Sequence, residues 1–244
     1  MIKKFFFGLF LFFPVCAFSF EKDIKQIEER YLISVAYEQI QFPNYWHNPR
    51  FNVQYKKVRH NDMPLVLNSI KFFLHGYPKK VIVSDLNEIN IMGDFSIYGK
   101  PFGASYFSKS IYLKYSTLDG DDVRFATRVL HHEFSSILMK KYLFPKKAWE
   151  RCNSGKYRSK NQGLDMLNVV GDGRDEHHKL LQQGFLTSYG SSDFQNDVNI
   201  YAEYIFVESR RLRQHSKKYT SIKCKKKIIE KFYCEINKGF RFCK

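Results

Sequence analysis

The 244-residue chain is poor in several things, and each shortage closes off a class of function. After its first twenty residues it has no apolar run long enough to cross a bilayer, which takes roughly 20 residues as a helix. It holds no Gly-rich nucleotide loop, no Gly-x-Ser-x-Gly elbow and no Cys-x-x-Cys pair, so nucleotide transfer, α/β-hydrolase and thioredoxin-like chemistry have no anchor in it. Repeats and low-complexity segments are missing too. Acidic residues are in short supply: 24 Asp and Glu face 40 Lys and Arg, for a formal charge of +16.

The opening "MIKKFFFGLFLFFPVCAFSF" has two lysines, an apolar stretch and then small residues, the layout of a secretory signal peptide with Ala17 and Ser19 as a small-x-small cleavage site. The expectation is a leader over 1–19, a mature chain over 20–244 as one domain, and a secreted or periplasmic location. Loss of Lys3 and Lys4 lowers the charge by two. Much of what remains lies in a basic helical tail, about 208–244, including "ESRRLRQHSKKYTSIKCKKKIIEKFY". That tail suits contact with an anionic surface, or is a solvated helix face; no specific nucleic-acid partner is expected. Of five cysteines, Cys16 leaves with the leader. Cys152, Cys224, Cys234 and Cys243 then suit two disulfides in any of three connectivities, among which a Cys234–Cys243 pair would tie down the end of the chain.

Near-helical spacing of Ile24, Ile27, Tyr31, Val35 and Ile40 predicts a helix through "EKDIKQIEERYLISVAYEQI". "FPNYWHNPRF" reads as a loop and "MPLVLNSIKFFLHGYP" as a helix. From Lys80 the period shortens, and "KKVIVSDL", "EINIMG", "DFSIYG" and "SKSIYLKYS" predict short strands of a compact sheet. "DGDDVRFATRVLHHEFSSILMKKY" returns to helical spacing, with Val123, Ala126, Leu130, Phe134, Ile137 and Leu138 on a stripe that the sheet can cover. Helix and loops follow through "GLDMLNVVGDGRDEHHKLLQQGF", in which "GDGRDEHHK" is a turn-rich, solvated connection. "DVNIYAEYIFVESRRLRQ" predicts one further helix.

The chemistry gathers on "HHEFSS". In a His-Glu-x-x-His helix the two histidines stand one above the other and reach one metal, with the Glu beside a metal-bound water. Here Ser136 stands where the second histidine would be, and His132, Glu133 and Ser136 are expected opposite the apolar stripe, facing a cleft. His131 is turned about 100° from His132 and reads as a packed or hydrogen-bonded histidine.

The order of small sheet, "GASYFSKSIYL", "HHEFSSIL" and "GFLTSYGSSDFQNDVNIYAEYIF" resembles zinc-binding metallopeptidases of the zincin superfamily. It is particularly similar to the catalytic-domain pattern shared with anthrax lethal factor, over roughly Leu65 to Val207. The resemblance implies an α+β zincin-like domain with a small mixed sheet, an active-site helix and a mainly helical C-terminal half. It also implies zinc as cofactor and a peptide or protein substrate. His132 matches the first metal ligand, Glu133 the general base and Tyr189 of "LTSYG" the oxyanion donor. Glu203 of "YAE" is either a metal ligand or a partner that orients His132. The family's ligand one turn earlier is replaced by Asn199. If Glu203 binds metal, Asp197, His177 or His178 is a candidate for a further ligand. The strand "SKSIYL" is expected as the sheet edge that pairs with extended peptide. Two functions follow: an exported zinc-dependent peptidase, or an inactive zincin-fold protein that binds peptide or anionic envelope material.

Overall fold

A computed structural model describes residues 20–158 and 176–243. The expected leader and most of "GDGRDEHHK" lie outside the described residues. Helix α1 (Phe20–Tyr31) and strand β1 (Ser34–Ala36) come first, then β2 (Gln54–Lys57), α2 (Met63–His75) and α3 (Lys79–Asp85). Next are β3 (Glu88–Ile97), β4 (Lys100–Pro101), β5 (Ala104–Phe107) and β6 (Ser110–Lys114). Helices α4 (Val123–Lys141), α5 (Lys146–Arg151), α6 (His178–Gln183), α7 (Phe194–Phe206), α8 (Ser209–Lys218) and α9 (Thr220–Ile236) complete the order. This is the expected α+β arrangement with a helical second half.

Several elements differ from their sequence reading. The first helix stops at Tyr31 because Leu32 takes φ 54°, and Val35 continues instead in a strand parallel to β3. "KKVIVSDL" is helical: Pro78 opens α3, and Val81 and Ile82 bury themselves in the core. Helical packing thus overrides the β preference of three β-branched residues. "EINIMG" and "DFSIYG" form one strand with a bulge at Gly93, where β2 pairs Lys56 with Asp94 and Lys57 with Met92. A Cβ at Gly93 would collide with the Lys57 carbonyl oxygen. The extra residue reverses which face the strand buries. Ile89 and Ile91 enter the main core, whereas Phe95 and Ile97 join Met92, Trp46 and Tyr112 in a smaller aromatic cluster.

The sheet runs β1-β3-β6-β5, with β2 and β4 also paired to β3. "GASYFSKSIYL" is a hairpin that turns at Ser108, φ 53°. Strand β6 is therefore internal, and the edge beside α4 is β5, not "SKSIYL" as expected. Helix α4 packs against α2, α7, β5 and β6 and is buried on most of its circumference rather than along one stripe.

The tail is less solvated than its charge suggests. Lys225 on α9 is fully buried. Its ammonium donates to Asp197 Oδ2 at 2.5 Å and to the Gly184 carbonyl at 2.8 Å, over the Phe185 ring at 4.6 Å. The same carboxylate oxygen accepts from Trp149 Nε1 and Tyr157 Oη, each at 2.8 Å. Burial pushes the Asp197 carboxyl up and the Lys225 ammonium down, and each charge offsets part of that cost for the other. Two disulfides, Cys152–Cys224 and Cys234–Cys243, fasten α9 to α5 and the chain end to α9, including the terminal pairing expected.

Lys225→Met leaves Asp197 buried without its cation and should cost about 3–5 kcal/mol in urea unfolding. Adding Asp197→Asn to it should recover part of the loss. Replacing Cys152 and Cys224 by serine should lower stability by about 2–5 kcal/mol, read as the shift in urea midpoint without reductant.

Candidate active site

Two capped helices bring the candidate residues together. Asp122 caps α4 by accepting from the Phe125 N–H, and Asp193 caps α7 by accepting from the Asn196 N–H at 2.9 Å. The helices then lie side by side so that residues one turn apart on each meet in two rungs. In the first, His132 Nδ1 donates to Glu203 Oε1 at 2.9 Å. In the second, Asn199 Nδ2 donates to Ser136 Oγ at 2.7 Å. A second donor, Gln195 Nε2, reaches the same hydroxyl at 2.9 Å.

These side chains do not look out over a cleft, as their helical phase suggested. His132 is 6% exposed, Ser136 and Asn199 1%, and Glu203 is fully buried. The reason is α7, which packs along the face of α4 that carries His132 and Ser136.

Glu133 is half-buried beside the first rung. Burial raises its carboxyl above the ordinary value; His132 opposes the shift and Glu203 adds to it. Tyr189 sits on the turn between α6 and α7, its ring 5.8 Å from the His132 ring. The turn is locked locally, with Gly190 N–H donating to Thr187 Oγ1 at 3.0 Å and Ser191 Oγ to the Ser188 carbonyl at 2.8 Å. The structure thus gathers His132, Glu133, Tyr189 and Glu203 in one place.

His131 is a packed histidine. It stacks on Phe206 at 4.4 Å, its Nδ1 lies 3.0 Å from Tyr77 Oη, and burial lowers its pKa to about 3. Gly76 is needed nearby because a Cβ there would stand 3.0 Å from the His131 ring.

The three candidates for a further metal ligand do not join this group. Asp197 is committed to Lys225 toward α9. His177 is exposed at the start of α6, and His178 packs edge-on against Tyr219. Among the described residues no three His, Cys, Asp or Glu side chains are grouped to hold a metal ion. Zinc sites are built from imidazole, thiolate and carboxylate. Here the second rung offers a hydroxyl and an amide already bonded to each other. Its one unpartnered acceptor among the described residues is the neutral Asn199 Oδ1. The described donor set does not fit zinc. Of the two roles open to Glu203, the hydrogen bond to Nδ1 matches a partner that orients the ring.

Sequence reasoning missed Gln195 and its links. Its amide also reaches Tyr106 Oη on β5 at 3.1 Å, so one side chain ties the sheet edge to the second rung. The spacing of Gln195 and Asn199, one helical turn apart, was the available signal.

A family model described as "Putative zinc-binding metallo-peptidase" matches residues 101–237. No curated protein matches. One similar solved structure is described as a putative zinc-binding metallo-peptidase from Bacteroides caccae. It aligns with a TM-score of 0.54 at 14% identity, over 88% of this chain and 85% of its own, which is a likeness of fold. The family match runs from the end of β4 to just past α9, more than half the chain and both helices of the two-rung contact; the chain belongs to the zinc-binding metallo-peptidase family so described.

Proposed function

We propose that this protein binds extended peptide on a metallopeptidase scaffold without hydrolysing it. The observation that carries this reading is the second rung: Ser136 and Asn199 stand where the resemblance places metal ligands, and the Asn199 amide instead donates to the Ser136 hydroxyl, neutral group to neutral group. A neutral pair of this kind carries no charge that burial would require a cation to offset. Export to an oxidising compartment belongs to the same reading and is supported by the two disulfides.

The peptide-binding element is the edge of β5. Gly103 O accepts from Lys114 N at 2.9 Å, so in an antiparallel pair the alternate residues Ala104 and Tyr106 turn their backbone groups away from β6. An extended segment adds to such an edge through main-chain hydrogen bonds, and side-chain pockets supply selectivity. Tyr106 is held in place by Gln195 on one side and by the Lys140 ammonium, 4.6 Å above its ring, on the other.

A second reading, zinc-dependent peptide hydrolysis, is favoured by family membership and by the retained His132–Glu133 pair with its desolvated carboxylate. Metal analysis and a cleavage assay separate the two. The purified wild-type chain should carry no stoichiometric zinc and leave a quenched-fluorescent peptide library intact. Ser136→His combined with Asn199→Glu should take up about one zinc per chain, because the new imidazole lies one turn from His132 on α4 and the new carboxylate lies opposite it on α7. Stoichiometric zinc in the wild type, lost on His132→Ala, would decide for hydrolysis.

The edge itself has a direct test. Ala104→Pro removes one outward N–H donor and should weaken binding of labelled extended octapeptides about 2- to 10-fold, the worth of one net hydrogen bond. The thermal midpoint should barely move, and unchanged binding would rule out strand addition at β5.

A further inference from the structure

We infer a second binding site, about one turn of α7 beyond Glu203 and independent of the peptide-binding reading, for a single-chain anionic amphiphile: an alkyl tail ending in a carboxylate. A pocket of about 610 Å³ opens where α2 ends and α7, α8, α9 and the last turn of the chain converge. Its size falls within the range of small-molecule sites. Ile205, Phe206, Leu212 and Phe242 supply apolar wall, and Arg213 and Arg241 line the same pocket as exposed side chains.

The charges are unequal in a way that selects a ligand. Glu230 also lines the pocket, but it is bound by Lys226 one helical turn away at 2.5 Å. Neither Arg213 nor Arg241 has an acidic partner among the described residues, whereas Arg211 is paired with Glu176 at 2.8 Å. Two guanidiniums beside an apolar hollow match one carboxylate with a hydrocarbon tail, since the guanidinium fork complements carboxylate geometry. The concavity separates this ligand from a membrane surface. The apolar groups line a hollow rather than stand out from the surface, so an individual chain can enter and a bilayer plane cannot reach them.

The wall is also held in place. Phe206 is backed by His131 at 4.4 Å, and Phe242 stacks on Phe240 at 5.4 Å. The Cys234–Cys243 disulfide pins the turn carrying Arg241 and Phe242 to α9. A Cβ on Gly76, at the pocket's edge, would press on Phe206 at 3.2 Å.

Titration calorimetry of the oxidised chain with laurate, dodecanol and acetate tests the assignment. Laurate should saturate at about one per chain below the concentration at which it self-associates, and acetate and dodecanol should bind much more weakly. Arg213→Ala and Arg241→Ala should each weaken laurate about tenfold. Replacing Cys234 and Cys243 by serine should weaken it further in a chain that keeps its helical circular dichroism. The assignment fails if laurate does not saturate, if dodecanol binds equally well, if the arginine variants bind laurate unchanged, or if the chain binds only anionic vesicles.

Discussion

A carboxylate taken fully out of water must meet a partner, and Glu203 meets the His132 imidazole. That contact sets how α4 and α7 lie against each other, and most of the site follows from it. With His132 opposite Glu203, the next turn of each helix brings Ser136 opposite Asn199. The second rung is neutral, with the Asn199 and Gln195 amides both donating to the Ser136 hydroxyl. Neither member of that rung brings a charge or a ring nitrogen to a cation, so a change of two residues alters the chemistry of the pocket while the helix packing survives.

Helix α7 is held from its other side by a second buried carboxylate. Asp197 faces α9, where Lys225, Trp149 and Tyr157 converge on one of its oxygens. Lys225 also grips the Gly184 carbonyl, just ahead of the turn that carries Tyr189. The Cys152–Cys224 bond lies next to Lys225 in the chain and joins α5 to the same stretch of α9. The basic C-terminal half therefore has a structural task. Some of its cations hold α7 or neighbouring acids, and others, such as Arg213 and Arg241, border a hollow with apolar walls.

Legibility varied with how local the determinant was. Helices α2 and α4 were readable because their apolar spacing, and for α4 its acidic start and basic end, all agree within one segment. The short β-branched stretch of α3 misled because seven residues are too few for periodicity to outvote residue preference. Strand β3 looked like two because Gly93 reads as a break in sequence but works as a bulge in the sheet. At the site, the departures at Ser136 and Asn199 were visible one by one. Their mutual hydrogen bond was not, since 63 residues separate them. The spacing of Gln195 from Asn199 put both on one face of α7 but could not name the partners of Gln195, which are far away in the chain.

What the amino-acid order alone determined is the chemical inventory: an imidazole and its neighbouring carboxylate on a helix, four cysteines from Cys152 onward, a large cationic excess, and a hydroxyl at Ser136 and an amide at Asn199. Tertiary structure decided which groups meet. It placed α7 over the polar face of α4, made β5 the edge, and buried one lysine while leaving two arginines beside a pocket. Spacing within a segment fixes direction around a helix, but only packing between distant segments fixes what lies in that direction, and so whether a polar group meets water, a cation or another side chain.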